Sequence, residues 1–147
     1  DAPGALSRLT EMGIEPFLVA SALDCVVAQR LARTLCKHCK RETILTQDIL
    51  ANNGFNSNVD IEAYEPGGCS RCGGSGYKGR LGLYEVMSVT EEMRTLTIER
   101  ASADQIADAA VRNGMRRLRD DGLEKVRQGR TSIAEVARVT GSGVATG

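Results

Sequence analysis

Cys36-Lys37-His38-Cys39 and Cys69-Ser70-Arg71-Cys72 are two cysteine knuckles of the same spacing in a chain of 147 residues. A two-residue spacer lets both sulfurs of a pair reach one small cation, and two such pairs supply the four soft ligands of a closed tetrahedral site. The pattern predicts structural zinc held by Cys36, Cys39, Cys69 and Cys72. The segment between the knuckles, Lys40 to Gly68, is longer than the roughly 15–20 residues of the common tetracysteine spacing, which predicts a small subdomain rather than a simple finger. Gly67, Gly68, Gly73, Gly74 and Gly76 crowd the second knuckle, where a backbone wrapping its amides around thiolates needs residues that tolerate positive φ.

Other uses of the thiols fit less well. Five cysteines give no even disulfide framework, and disulfides require an oxidising compartment. A redox dithiol needs only one pair, set between a strand and a helix, and neither knuckle has that setting. Four thiolates around a dication leave a charge of about −2, and Arg33, Lys37, Lys40, Arg41, Arg71 and Arg80 are close enough in sequence to offset it. His38, the only histidine, sits inside a spacer that points outward and reads as an exposed bystander. Cys25, between Phe17-Leu18-Val19-Ala20 and Val26-Val27-Ala28, reads as a buried thiol acting as a small apolar residue.

Lysine plus arginine equals aspartate plus glutamate at 19 each, so no global charge draws the chain to nucleic acid or membrane. A hydrophobic content of 41% suffices for a core, but aromatics are 3% and tryptophan is absent. Such a core buries little area per residue, and a metal staple adds to it. The most hydrophobic stretch, Phe17 to Leu35, is broken by Asp24, Gln29, Arg30 and Arg33, which excludes a transmembrane helix there. The opening Asp1-Ala2-Pro3-Gly4 has neither an initiator methionine nor a charged-then-apolar leader; it predicts a boundary inside a longer protein and a cytosolic location.

Leu6, Leu9 and Met12 recur at helical spacing before Gly13, predicting a helix over residues 5–12. Pro16 opens a second helix to about Leu23, and residues 25–34 predict a strand. Thr46 caps a helix that runs to about Asn53 and stops at Gly54. Phe55, Val59, Ile61 and Tyr64 are the candidate core of the insert. Residues 77–80 and 81–86 read as two short strands joined tightly beside the metal. The glycines there do not form a phosphate loop, since Lys78 is followed by Gly79 and not by Ser or Thr.

The remainder reads as four short helices. Thr90 caps the first, with Met93, Leu96 and Ile98 inward, and Ser102 with Gln105 forms a capping box for the second. The third runs from Leu118 to Gln128, interrupted by Gly122 and ended by Gly129; Ser132 with Glu135 caps a fourth, ended by Gly141. This row predicts a compact helical subdomain followed by a disordered tail over residues 142–147. Arg112, Arg116, Arg117, Arg119, Arg127, Arg130 and Arg138 form either a basic face for an acidic partner or anionic lipid, a peripheral membrane contact, or a solvated surface balanced by Asp120, Asp121, Glu124 and Glu135.

Several segments together resemble the C-terminal part of the bacterial ATPases of type II secretion and type IV pilus assembly. They are Asp1-Ala2-Pro3 leading into a helix, Gln29 to Cys36, Cys69 to Cys72 with Gly76 to Arg80 and Tyr84-Glu85, Leu118 to Val126, Gly129 to Thr131, and Glu135 to Thr140. The first knuckle departs from the family in having Lys37 where proline is frequent. The resemblance implies an α+β, mainly helical fold in four parts: residues 1–35 end a RecA-like ATPase core, 36–88 form the tetracysteine zinc subdomain with short strands, 89–141 form the helical subdomain, and 142–147 are a tail. It also implies an intact parent that is a homo-hexameric P-loop ATPase using ATP and Mg²⁺. That parent would work at the cytoplasmic face of the inner membrane on a platform or adaptor protein of the machinery. The ATP-binding motifs would lie upstream, so no catalytic residue is assigned here and the fragment is expected to be inactive alone. Two alternatives are a DnaJ-like zinc module or adaptor, matched by one copy of C-x-x-C-x-G-x-G at Cys69 to Gly76, and a nucleic-acid-binding zinc ribbon. The neutral charge argues against the ribbon.

Overall fold

A computed structural model describes residues 1–141; the expected tail, 142–147, lies outside the described residues. The fold is α+β, with α1 (Ala2–Glu11), α2 (Pro16–Ala22), β1 (Cys25–Leu35), β2 (Arg41–Leu45), α3 (Gln47–Asn52), β3 (Ile61–Glu65), β4 (Tyr77–Ser88), α4 (Glu91–Ile98), α5 (Ala103–Arg112), α6 (Leu118–Arg127) and α7 (Ile133–Thr140). Two strand pairs are present, β1 with β4 and β2 with β3. Among the described residues no helix is long and apolar enough to cross a membrane.

The described chain forms two compact units. One comprises Asp1–Gln29 and Tyr84–Leu118, the other Arg30–Leu83 and the residues from Arg119 onward. β1 and β4 therefore each begin in one unit and end in the other, as does the first step of α6. Of the four closing helices, α4 and α5 belong to the first unit and the rest of α6 with α7 to the second.

In the first unit, α1 packs on α5, α2 on α4, and α4 on α5. Ala2, Leu6, Val19, Met87, Met93, Ile106, Ala109 and Ala110 form the buried centre, flanked by Val26 and Ala28 from β1. Each helix start carries its own signal. The Asp1 carboxylate accepts the Gly4 amide at 2.7 Å, Thr90 Oγ1 accepts from Met93 at 3.3 Å, and Ser102 and Gln105 complete a reciprocal capping box.

A less local device joins two of these starts. Along β4 the inward positions are Leu81, Leu83, Glu85 and Met87, all buried, the period of two that a strand imposes. Glu85 thus carries a carboxylate into an apolar row. Its oxygens accept the Ala2 amide at 2.9 Å and the Leu118 amide at 3.0 Å, and Arg117 Nε lies 3.2 Å away. One buried carboxylate therefore satisfies donors at the N-termini of both α1 and α6, where the helix dipole favours negative charge.

Several expectations are corrected. Residues 77–88 form one continuous strand rather than two, because Gly79 adopts φ +87° without ending it. Cys25 is exposed: strand alternation turns Val26 and Ala28 to the core and Cys25 and Val27 away from it. In α4 the inward side is Met93, Leu96 and Thr97, while Ile98 is 47% exposed. Thr97 is tolerated there because its hydroxyl donates to the Met93 carbonyl at 2.7 Å. The helix from Leu118 passes through Gly122 uninterrupted, and the reason is packing, since a Cβ at Gly122 would overlap Val136 Cγ1.

The second unit holds two strands that local sequence does not announce, β2 and β3. They pair antiparallel with Arg41 opposite Glu65, Thr43 opposite Ala63 and Leu45 opposite Ile61. Leu45, Ile61 and Ala63 are buried, as are Leu50 of α3 and Phe55, whereas Val59 of the expected insert core is exposed. Arg119 fixes the end of α3, donating to the carbonyls of Asn53 and Gly54 at 2.9 Å each and lying over the Phe55 ring.

Candidate metal centre

The first knuckle follows β1, and the Cys36 amide donates to the Gly76 carbonyl at 2.9 Å, bringing the segment after the second knuckle alongside it. The second knuckle closes as a single 3-10 turn, Ser70–Cys72, followed by Gly73 at φ +66°. Gly67 is held against the first knuckle so closely that a Cβ would overlap the Cys39 carbonyl oxygen. The glycine-rich composition around the second pair is thus spent on close approach as well as on turning.

This arrangement brings together Cys36, Cys39, Cys69 and Cys72, whose sulfurs all lie within 4.8 Å of one another. The separations are 3.8 Å for Cys36 to Cys69, 3.7 Å for Cys39 to Cys72 and 3.7 Å for Cys69 to Cys72. Those distances are far beyond the S–S bond of about 2.05 Å. A tetrahedron with metal–sulfur bonds of about 2.3 Å has edges of about 3.8 Å, so the donor set has the size and chemistry that zinc takes. The four cysteines are able to hold a metal ion.

The charges of the sulfurs are met by backbone amides. Gly68 N–H donates to Cys39 Sγ at 3.2 Å, and Cys69 and Gly76 N–H donate to Cys72 Sγ at 3.3 and 3.2 Å. The Cys69 amide, helped by Gly76, pulls the Cys72 thiol down to about 6 against burial, and the His38 amide lowers Cys36. At Cys39 the Gly68 amide acts in the same sense, but burial and the three neighbouring sulfurs together push it up to about 11. Four sulfurs this close do not all ionise by themselves; a dication in their midst removes the conflict.

Of the cations expected to offset the cluster, four are engaged elsewhere. Arg33 pairs with Glu135 at 2.7 Å and stacks on Tyr77; Lys40 donates to the Gly129 carbonyl at 2.9 Å and lies over Tyr64. Arg41 reaches the Pro66 carbonyl at 3.3 Å, and Arg71 lies 3.1 Å from His38 Nε2. His38 is exposed and outside the cysteine cluster, the bystander position its place in the spacer suggests.

Beside the knuckles stands a buried polar centre that the sequence reading misses. Glu135, 1% exposed, receives Arg33 and Arg138 on opposite oxygens. Burial disfavours its charge, but the hydrogen bonds from Arg138 and Arg33 outweigh burial and hold the carboxyl below its ordinary value. Tyr77, five residues after Cys72, joins its hydroxyl to Ser132 at 2.7 Å, and Thr131 Oγ1 donates to the Arg33 carbonyl at 2.8 Å. Ser132 caps α7 by accepting the Glu135 amide at 3.1 Å, while the Glu135 side chain turns to the arginines. Ion pairs also hold other arginines of the closing helices, as with Arg112 on Glu92 at 2.7 Å and Arg127 on Glu124 at 3.6 Å.

The family model for "Type II/IV secretion system protein" matches residues 1–138. The chain belongs to this family. Over 139 residues it is 44% identical to the type IV pilus assembly ATPase PilB of Thermus thermophilus, covering 92% of this chain and 16% of the relative. It is 40% identical over 137 residues to the type II secretion system protein E of Aeromonas hydrophila, covering 93% and 27%. With the type II secretion system ATPase E of Vibrio cholerae the identity is 41% over 139 residues, covering 95% and 27%. The chain therefore spans only a sixth to about a quarter of the length of these relatives.

Proposed function

We propose that this chain is the metal-binding and helical C-terminal region of a hexameric ATPase motor that powers type IV pilus assembly or type II secretion. The single observation that carries the reading is the set of sulfur separations near 3.8 Å in a chain whose family relatives include the pilus and secretion ATPases. Residues 1–35 would close the RecA-like core, 36–88 carry the metal and 89–141 supply the closing helices. Cys36, Cys39, Cys69 and Cys72 would hold zinc, which supplies charge neutralisation and a covalent-strength tie between the knuckles rather than catalysis.

The knuckles sit at the base of the β2–β3 ribbon, since β2 starts two residues after Cys39 and β3 ends four residues before Cys69. Fixing both ends of a ribbon suits it for docking against the inner-membrane platform or adaptor of the machinery at the cytoplasmic face. ATP and Mg²⁺ would act in the parent, through motifs outside this chain. Structural zinc contributes on the order of 10 kcal/mol of apparent folding free energy in small modules. A Cys69→Ser parent should therefore lose metal and lose pilus assembly or secretion while retaining nucleotide binding. Normal assembly by a metal-free Cys69→Ser parent would refute the docking role.

A further inference from the structure

The β2–β3 ribbon has two unlike faces. Leu45, Ile61 and Ala63 lie on the buried one. The register sets Glu42 opposite Tyr64 and Ile44 opposite Glu62, so these four share the other face. That face borders a groove of about 500 Å³ lined also by Arg127.

Ile44 is 49% exposed at the centre of this face, and Glu42 and Glu62 are exposed beside it. Ile44 and Glu62 are direct cross-strand neighbours, with Cβ atoms about 5 Å apart, and Glu42 lies two residues along the strand, about 7 Å away. Among the described residues neither glutamate is in an ion pair, whereas the cations at the margin are taken: Arg127 faces Glu124 at 3.6 Å, and Lys40 is held by the Gly129 carbonyl at 2.9 Å with Tyr64 beneath it. The free surface is thus an apolar side chain flanked by two unpaired carboxylates.

We propose that this face docks an extended segment of a partner protein whose side chains on the docking side, two residues apart, are basic and apolar in turn. An extended segment turns every second residue to the same side, so residues two apart would set a basic group against each glutamate and an apolar group over Ile44 within the groove. The inference rests on the docking role proposed above, and the charge fits that role: segments of membrane proteins that border the cytoplasm are enriched in lysine and arginine. Complementary charge of this kind gives specificity and a salt-sensitive association rate.

The test uses the purified chain and a fluorescein-labelled lysine–leucine peptide in which lysine and leucine take turns at every second position with threonine between them, with a glutamate–leucine peptide of the same pattern as its counterpart, followed by anisotropy. The lysine–leucine peptide should bind, with affinity falling as salt rises, and the glutamate–leucine peptide should not. Glu42→Lys with Glu62→Lys should weaken binding about tenfold or more, and Ile44→Ser should weaken it at every salt concentration. All three positions are exposed, so folding is preserved and circular dichroism verifies it. Glu11→Lys, an exposed charge reversal in the other unit, should bind as the parent chain does.

Binding that survives the double reversal, equal loss with Glu11→Lys, or concentration-dependent self-association through Ile44 in place of peptide binding would each overturn the proposal. These outcomes are independent of the Cys69→Ser experiment, which tests the docking role through the metal and does not touch the groove.

Discussion

Glu85 and Leu118, 33 positions apart, meet in a hydrogen bond of 3.0 Å from the Leu118 amide to the buried Glu85 carboxylate. The same side chain accepts the Ala2 amide at 2.9 Å, so a single substitution unpairs donors at two helix starts. Glu85→Ala should cost about 2–4 kcal/mol, since buried donors left without a partner cost about 1–3 kcal/mol each and the Arg117 charge is partly solvated. Urea denaturation followed by circular dichroism measures this. A loss below about 1 kcal/mol would contradict the double cap.

Gly122 and Val136 present a contest between helix propensity and packing. Alanine is favoured over glycine in a helix by about 1 kcal/mol, but at position 122 the new methyl would overlap Val136 Cγ1 and stand 3.3 Å from Leu83 Cδ1. Overpacking against a stiff β-branched side chain costs about 1–3 kcal/mol. Gly122→Ala should be net destabilising by about 1 kcal/mol, and Val136→Ala combined with it should restore part of the loss, a coupling that a double-mutant cycle reads directly.

Acid sensitivity should be traceable to Glu135. Its carboxyl titrates below the ordinary glutamate value of 4.5 in the folded chain. The stabilisation it provides is therefore complete above that value and is lost as the pH falls through the lower folded value. Glu135→Gln should be less stable at neutral pH, and its stability should fall less steeply on acidification below about pH 4.5. Zinc release at low pH would affect both proteins equally, so the comparison of their slopes isolates Glu135. Parallel slopes would contradict the assignment.

Gly67→Ala tests whether the knuckles need their close approach. The added Cβ meets the Cys39 carbonyl oxygen, a backbone atom with no rotamer to escape through, so the two knuckles must separate. Competition with a chromogenic chelator should show weaker zinc binding than in the parent chain; unchanged affinity would mean the knuckles relax at no cost.

Legibility in the sequence followed the range of the interactions. Thr46, Thr90, Ser102 and Ser132 act three residues along the chain, and each caps the helix that its local pattern marks. The thiol cluster was legible for a similar reason, since each knuckle is a local motif and four soft donors have few other uses. β2 and β3 were not, because their pairing joins Arg41 to Glu65, residues far apart in the chain. A missed signal lay in β4, where Leu81, Leu83, Glu85 and Met87 share one face: the alternation that buries the three apolar residues also buries Glu85. Glu135 has the spacing of a capping partner of Ser132. Only its backbone plays that part, because the arginines that claim its side chain come from position 138 and, 102 positions away, from Arg33.

Elemental analysis combined with a native thiol count decides whether Cys36, Cys39, Cys69 and Cys72 hold a metal ion. About one zinc per chain is expected, with Cys25 alone reacting with a thiol reagent and the other four reacting after chelation. A native protein without metal, in which all five cysteines react freely, would contradict it.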